Sequence, residues 1–325
     1  MTRRRALSLL FILFLPAACS QFTTVPAQTR GPRCFATLPA AAHVLVLTST
    51  LPRFGMPPRE FSRPEAPAAE DLAYPNYNIQ VLVRAVGMAI MFYDSIDTTK
   101  DLPSNLRSLA PTLAAADKLR REDNDDEAIK TYRSITGGDI DMPRLARSYF
   151  GQALIFAKIP EQRKKATQLL RQAVYYMPDN SDASLALAMN YCFQQEWDNA
   201  MMAARRAVLL QPNDATARYW LGWIYFHGLQ NNADAMAHLQ EALRLKPNDE
   251  HALQELGVVS VYRGQYANAV TLLQRVIRLK ANNAEAYWFL GIAYLKMDDR
   301  PQAQQVYRTL QRINKDLARE FAARM

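Results

Sequence analysis

Histidine side chains are the residues of this sequence best suited to hold a metal ion, because a neutral imidazole is the commonest protein ligand for transition metals. Of the four histidines, His227, His238 and His251 fall in one part of the chain. No spacing typical of a metal site accompanies them, since the sequence has neither a His-Glu-x-x-His nor a Cys-x-x-Cys segment. Whether the three could meet therefore depends on the elements that carry them.

Carboxylate pairs are the second kind of group that could do chemistry, as general acid and general base. Adjacent carboxylates occur at Asp298-Asp299 and Asp125-Asp126-Glu127, in polar breaks where such residues commonly cap a helix. No nucleophile with a plausible base and no Gly-x-x-x-x-Gly-Lys phosphate loop is present in the sequence. We predict no catalytic residue, no metal site, no cofactor and no enzymatic activity. The alternative is an enzyme, or enzyme subunit, with an unrecognised site in residues 35–110.

An internal repeat determines how these residues are positioned. Small residues recur at intervals of about 34 residues, at Ala128, Ala166, Ala200, Ala235, Ala269 and Ala303. Other positions keep the same interval: Leu221-Gly222, Leu256-Gly257 and Leu290-Gly291, and Pro178, Pro212 and Pro247. One period contains two apolar stripes of helical spacing with a polar break between them, which predicts a helical hairpin.

This pattern resembles the tetratricopeptide repeat, strongly from about 181 to 310 and moderately from about 111 to 178. The resemblance implies an all-α fold, namely a right-handed superhelical solenoid of about five to six helix hairpins over residues 111–315. A single hairpin cannot bury its apolar face alone, so neighbours must stack. A capping helix is predicted over 316–325. The turns inside the hairpins are expected near Asn124, Gln195, Asn231, Gly264 and Asp298.

The resemblance also implies a binding surface, since the first helices of such repeats line a concave groove. Counting from the glycine position assigns these residues to the groove: Leu185, Met189, Phe193, Tyr219, Trp223, Phe226, His227, Tyr262, Trp288 and Ile292. His251 and Glu285 fall on the same surface, whereas His238 falls on a second helix, away from it. This separation is the reason that we expect no metal site.

The predicted groove is apolar and aromatic, which favours an apolar or amphipathic segment of a partner protein as its ligand. Two alternatives remain. The protein's own segment Val81–Tyr93, or its tether, could occupy the groove, or tight packing could bury the aromatic side chains between repeats. Arg84 interrupts that apolar segment, which makes it a poor membrane span. A purely structural spacer is a further alternative for the whole chain.

Nucleic acid is not an expected partner. The formal net charge is +8, and it falls to +5 if Arg3, Arg4 and Arg5 are removed with a signal peptide. This charge is modest for the chain length, and the basic clusters are predicted to lie on solvated faces of second helices.

The N-terminus predicts export. Three arginines, a short apolar run and the small residues after it have the layout of a signal peptide over residues 1–18. Cys19, after Pro16-Ala17-Ala18, resembles the lipid-accepting cysteine of bacterial lipoproteins, and Ser20 implies sorting to the outer membrane, facing the periplasm. The alternative is cleavage after Ala27, which would give a soluble periplasmic protein.

Residues 19–77 are predicted to form an extended Pro-rich tether, and residues 78–110 a helical segment that docks on the array. Cys34 and Cys192 are predicted to be unpaired thiols, with a disulfide between them as the alternative. In layout the chain is similar to pilotin and pilus-assembly lipoproteins of type IV and Flp pilus systems, and to repeat-bearing adaptors of cell-wall hydrolases. This resemblance implies a scaffold that holds or assembles envelope proteins of pilus, secretion or cell-wall machinery.

Overall fold

The computed structural model describes residues 77–135 and 142–325, and for residues 77–80 it describes the backbone alone. All these residues belong to one compact unit, Ser62–Met325.

Several features predicted from the sequence lie outside the described residues. They are the signal peptide over 1–18, the candidate lipid acceptor Cys19, the thiol of Cys34 and, apart from its last residue, the tether over 19–77.

Every regular element of the described ranges is helical, so the predicted all-α fold is confirmed. The α-helices are α1 (Tyr77–Ser95), α2 (Ala110–Arg121), α3 (Asp125–Ser134), α4 (Met142–Lys158), α5 (Arg163–Tyr176), α6 (Ser181–Phe193), α7 (Trp197–Leu210), α8 (Ala215–His227), α9 (Asn232–Leu245), α10 (Glu250–Tyr262), α11 (Tyr266–Leu279), α12 (Ala284–Lys296), α13 (Arg300–Ile313) and α14 (Lys315–Ala322). Short 3-10 helices, Ser104–Leu109 and Pro160–Gln162, precede α2 and α5. Among these helices, none is long and apolar enough to cross a membrane.

Successive helices pair into hairpins, with α2 against α3, α4 against α5, and so on to α12 against α13. The chain turns through a residue of positive φ in five of these hairpins: Asp123 (57°), Gln195 (60°), Gln230 (52°), Gly264 (71°) and Asp298 (57°). Each lies within one residue of the turn expected from the sequence. Only Gly264 adopts this conformation without steric cost; the other turns are held by bonds that end the first helix, such as Glu196 N to Tyr191 O at 3.0 Å.

Asparagine and aspartate side chains fix where the first helices α6, α8, α10 and α12 begin. Their oxygens accept hydrogen bonds from backbone N–H groups of the first turn, each worth about 1 kcal/mol. The pairs are Asn180 with Ala183 N at 2.7 Å, Asp214 with Thr216 N at 2.8 Å, Asp249 with Ala252 N at 3.1 Å and Asn283 with Ala286 N at 3.0 Å.

The recurring small residues mark the closest helix–helix contacts. All six periodic alanines are fully buried. A Cβ atom on Gly222 would lie 2.8 Å from Leu239 Cγ, and one on Gly257 would lie 2.9 Å from Leu273 Cγ. Both separations are shorter than van der Waals contact, so glycine at these two positions is what allows the helices of a hairpin to approach.

The last helix, α14, closes the C-terminal end of the array. Its Leu317, Ala318 and Phe321 are buried. The Phe321 ring packs against Trp288 of α12, with ring centroids 5.7 Å apart, and the Arg324 guanidinium lies 5.0 Å from the centre of the Trp288 ring. The apolar face of the last hairpin is therefore covered by a helix from outside the repeat pattern.

The hairpin contact at Ala269 gives a test of this packing. Ala269→Arg places a long charged side chain where the alanine is fully buried, and we expect a loss of several kcal/mol in the free energy of unfolding. Ala267→Arg, at an exposed position of the same helix, is the control and should change it by less than about 0.5 kcal/mol. Urea denaturation followed by circular dichroism measures both, and equal stability of the two variants would contradict this packing.

Candidate functional site

The groove side of the array is covered by α1. Val81, Ala85, Met88, Ala89 and Tyr93 recur at helical spacing, are buried, and join the core formed by the repeats. Helix α1 contacts α4 and α6, the first helices of two hairpins. An apolar segment of this protein therefore lies against the first helices of its own repeats.

The opposite face of α1 remains exposed. Leu82, Val83 and Met91 keep 44%, 41% and 61% of their surface accessible. A helix that is apolar on both faces usually has partners on both, yet within the described residues only one face of α1 is packed into the core.

A buried ion cluster connects α1 to the middle of the array. Arg84 Nη1 donates to Glu285 Oε2 of α12 at 2.9 Å, and Nη2 makes a shorter contact with Glu255 Oε1 of α10. Glu255 is fully buried, and its second oxygen lies 3.0 Å from His227 Nε2 of α8. One arginine of α1 thus reaches two carboxylates from different repeats, and a third repeat supplies a histidine.

The two carboxylates are not electrostatically equivalent. Burial alone would raise the pKa of Glu255, but the positive charge of Arg84 and the contact with His227 outweigh it, so the pKa lies below its ordinary value. For Glu285, burial raises the pKa, and the neighbouring Glu255 charge adds to this against the opposing effect of Arg84. Glu255 therefore holds its charge firmly, whereas Glu285 ionises at a cost.

Polar atoms beside the cluster lack partners. Tyr219 Oη, Trp223 Nε1 and His251 Nδ1 are buried and make no hydrogen bond with any described residue. The pKa of His251 is lowered, first by burial and then by Arg84. A buried donor without an acceptor costs about 1–3 kcal/mol, so α1 satisfies the charges of this region but not its hydrogen-bonding capacity.

The C-terminal end of α1 is fixed by different contacts. Arg120 of α2, fully buried, donates through Nη2 to Ile96 O at 2.7 Å and through Nη1 to Tyr93 O. Asp94 forms an ion pair with Lys158 at 2.5 Å. These bonds satisfy carbonyl groups that a helix end leaves open, so this half of α1 is tied to the start of the array.

Most of the predicted groove residues are inside the protein. Leu185, Met189, Tyr219, Trp223, Phe226, Trp288 and Ile292 are buried, whereas Phe193, His227 and Tyr262 are half-buried. Several of the aromatic rings meet between repeats: Trp223 with Trp197 (centroids 6.1 Å apart), Phe226 with Tyr262 (5.4 Å) and Tyr219 with His251 (6.4 Å). A partner could reach the buried members only after part of this chain moves.

Sequence counting missed the residue at the centre of the cluster. Glu255 stands two residues before Gly257, where the neighbouring repeats have the buried aromatic residues Trp220 and Phe289. A carboxylate at an otherwise aromatic core position signals a cation nearby. Arg84, within an otherwise apolar run, was the matching signal.

Among the described residues, His227, His238 and His251 are not grouped to hold one metal ion. His227 and His251 both approach Glu255, whereas His238 stacks on Tyr225 with ring centroids 5.5 Å apart. In 77–135 and 142–325, no three His, Cys, Asp or Glu side chains are grouped closely enough to hold a metal ion. Cys192 is buried and forms no disulfide with a described residue, and burial raises the pKa of its thiol.

Family models match parts of the array. Models described as "Tetratricopeptide repeat" match residues 185–250 and 284–317, and one described as "TPR repeat" matches residues 259–298. The chain therefore contains tetratricopeptide repeats in these segments, as its periodicity predicted.

Individual relatives are distant. "Superkiller protein 3" of Schizosaccharomyces pombe is 25% identical over 134 residues, which cover 39% of this chain and only 10% of that protein. YrrB, a TPR protein described as having an unusual peptide-binding site, has 20% identity and a TM-score of 0.50, covering 55% of this chain and 92% of its own. MamA from Desulfovibrio magneticus RS-1 (41-end) has 16% identity and a TM-score of 0.50, covering 55% and 97%. These likenesses are of fold alone.

The ion cluster predicts opposite effects for its two carboxylates. The raised pKa of Glu285 means that its contribution to stability is present below the ordinary glutamate value and is lost as pH rises through the folded-state pKa. Glu285→Gln should therefore match or exceed the parent protein at pH 7. The lowered pKa of Glu255 means that its contribution is present above the ordinary value and is lost as pH falls through the folded-state pKa. Glu255→Gln should lose about 3 kcal/mol at pH 7, since it breaks a buried pair.

The measurement is urea denaturation from pH 3.5 to 7. Glu320→Gln, at an exposed position of α14, is the matched control and should follow the parent protein throughout. If Glu255→Gln and Glu285→Gln lowered stability equally at pH 7, the described asymmetry of the cluster would be wrong.

Proposed function

We propose that this protein is a protein-binding scaffold that holds a partner in the groove formed by the first helices of its repeats. Proteins built from tetratricopeptide repeats generally act in this way. The single observation that carries the proposal is α1: a helix lies in the groove, so the groove has the width and the apolar lining to accept one. The peptide-binding site described for YrrB supports the same reading of the surface.

The partner's chemistry follows from the lining. An apolar or amphipathic segment of another protein would meet the half-buried aromatic residues Phe193 and Tyr262 first, because these keep accessible surface in the present arrangement. Repeat scaffolds of this kind are generally non-enzymatic, and we propose no reaction for this chain.

We place this scaffold in the bacterial envelope. The layout of residues 1–18, the candidate lipid acceptor Cys19 and Ser20 support an outer-membrane lipoprotein facing the periplasm. The partners would be envelope proteins of pilus, secretion or cell-wall machinery. A soluble periplasmic form, cleaved after Ala27, is the alternative.

Groove binding can be tested by photo-crosslinking in the full chain. A photoreactive residue at Thr216, exposed at the start of α8, should form an adduct with a partner, whereas one at Asn199, exposed on the second helix α7, should not. The purified partner should bind about thirtyfold more weakly to Tyr262→Ala, because an aromatic anchor contributes about 2 kcal/mol.

Tyr266→Ala is the matched control, since Tyr266 is a half-buried aromatic residue on the second helix α11. It should leave affinity within about threefold, and circular dichroism should show both variants folded. Adducts from Asn199 alone, or equal loss of affinity in both tyrosine variants, would refute binding through the groove.

The membrane anchor has its own test. Cys19→Ser removes the proposed lipid acceptor, so the protein should lose acyl labelling and move from the membrane fraction to the periplasmic fraction. The Cys19→Ser substitution leaves the alternative cleavage site after Ala27 unchanged. A mature N-terminus at Gln28 in the parent protein would show instead that the chain is not lipidated.

A further inference from the structure

Two acidic residues of the repeats lie close together on the groove side of the array. Glu255 and Glu285 are both buried, and they come from α10 and α12. The cation that meets both carboxylates is Arg84, which lies outside the repeats, on α1. Two buried carboxylates close enough to share one guanidinium repel each other strongly without it. The array is therefore built for a basic side chain that arrives on another segment.

The two halves of α1 differ in how they are held. Tyr93 and the carbonyl groups of the last turn are fixed by Arg120, and Asp94 by Lys158. Arg84 lies nine residues before Tyr93, about 14 Å along the helix axis, and of the described side chains around it only Val81, Ala85 and Met88 are buried. Among the described side chains of this half, Arg84 and the apolar side chains of Val81, Ala85 and Met88 hold it to the array.

Gly87 separates the two halves. An added Cβ at this position would meet no atom within 4 Å, so close packing does not explain the glycine. A glycine inside a helix weakens it relative to alanine. A break in the helix at this position would let the N-terminal half of α1 leave the groove while the C-terminal half stays on α2.

The fit of α1 to the groove is also incomplete. Tyr219 Oη and Trp223 Nε1, both buried beside the cluster, make no hydrogen bond with any described residue. A better ligand would carry the same arginine and also offer an acceptor to these donors. The surroundings of Arg84 therefore form a recognition site whose hydrogen-bonding groups α1 satisfies only in part.

We propose that the groove selects an apolar helix of a partner protein that bears one arginine or lysine, which Glu255 and Glu285 bind, and that the N-terminal half of α1 is the in-chain competitor for the same site. This inference rests on the proposed scaffold function and adds the chemistry of the ligand. Binding of the partner exchanges one buried ion pair for another, so specificity comes from the position of the basic residue on the helix. A helix without it would leave two buried carboxylates uncompensated.

A pair of synthetic peptides tests the selection. Both have the sequence of residues 77–95, with Leu82→Gln and Met91→Gln at exposed positions for solubility; one keeps the arginine of position 84 and the other carries Arg84→Gln. The full-length Arg84→Gln protein, whose own competitor is weakened, should bind the arginine peptide at least tenfold more tightly than the glutamine peptide. In the Glu255→Gln, Glu285→Gln double variant this preference should fall to about one.

Competition by α1 is tested in proteins that keep Arg84. Gly87→Ala should stabilise α1 without new contacts. The Gly87→Ala protein should therefore bind the arginine peptide at least about threefold more weakly than the parent protein does. In the parent protein, saturating arginine peptide should speed amide hydrogen exchange in residues 81–87 and leave residues 89–95 protected. This measurement does not depend on the folding of the Arg84→Gln variant.

The outcomes separate the two proposals. Equal affinity for both peptides, or no binding to the Arg84→Gln protein when circular dichroism shows it folded, overturns the selection of a basic residue. Slower exchange in residues 81–87 shows that the peptide covers the exposed face of α1 instead of displacing it, which also overturns the inference. A partner crosslinked at Thr216 under either result would leave the scaffold function standing.

Discussion

A helical hairpin cannot cover its own apolar face, and every level of this structure follows from how that face is covered. Each hairpin is covered by the next, with fully buried alanines and close glycines setting the distance between helices. At the C-terminal end the covering element is α14, through Phe321 on Trp288. On the groove side it is α1, which comes from outside the repeat pattern. The array thus packs against two non-repeat helices as well as within its repeats.

Electrostatics determine how α1 lies in the groove. Apolar contacts alone would fix the position of α1 along the groove only weakly, because leucine and alanine side chains can pack against many different methyl groups. A guanidinium between two buried carboxylates permits no such shift. If α1 moved by one helical turn, the arginine and the two carboxylates would lose each other as partners. Arg84, Glu255 and Glu285 therefore fix the register of α1, and the same constraint gives the groove a chemical preference that its apolar lining could not supply.

The sequence was sufficient to predict the features that recur with the repeat period. It was insufficient to predict contacts between the repeats and a segment outside them. The periodic alanines, the turns at Gln195 and Asp298 and the capping residues recur at a known interval, so local rules located them. Position counting also placed His227 and Glu285 on the groove surface. It could not pair Arg84 with Glu255, because α1 has no place in the repeat and no local rule relates positions 171 residues apart. Nor could it show how far the aromatic rings sink between repeats, because that depends on how closely neighbouring helices approach.

The distance in sequence between α1 and its ion partners has a consequence for the order of folding. Hairpin contacts join residues within one period and form from local segments, whereas Arg84 meets residues 171 and 201 positions further along the chain. The C-terminal half of α1 can dock on α2 and α4 early, whereas the site of Arg84 exists only once α10 and α12 have joined the array. Until then the N-terminal half of α1 and the groove side of α10 and α12 are uncovered. An array whose groove is closed last by half of its own helix passes, each time it folds, through a stage in which a segment can enter the groove without displacing that half.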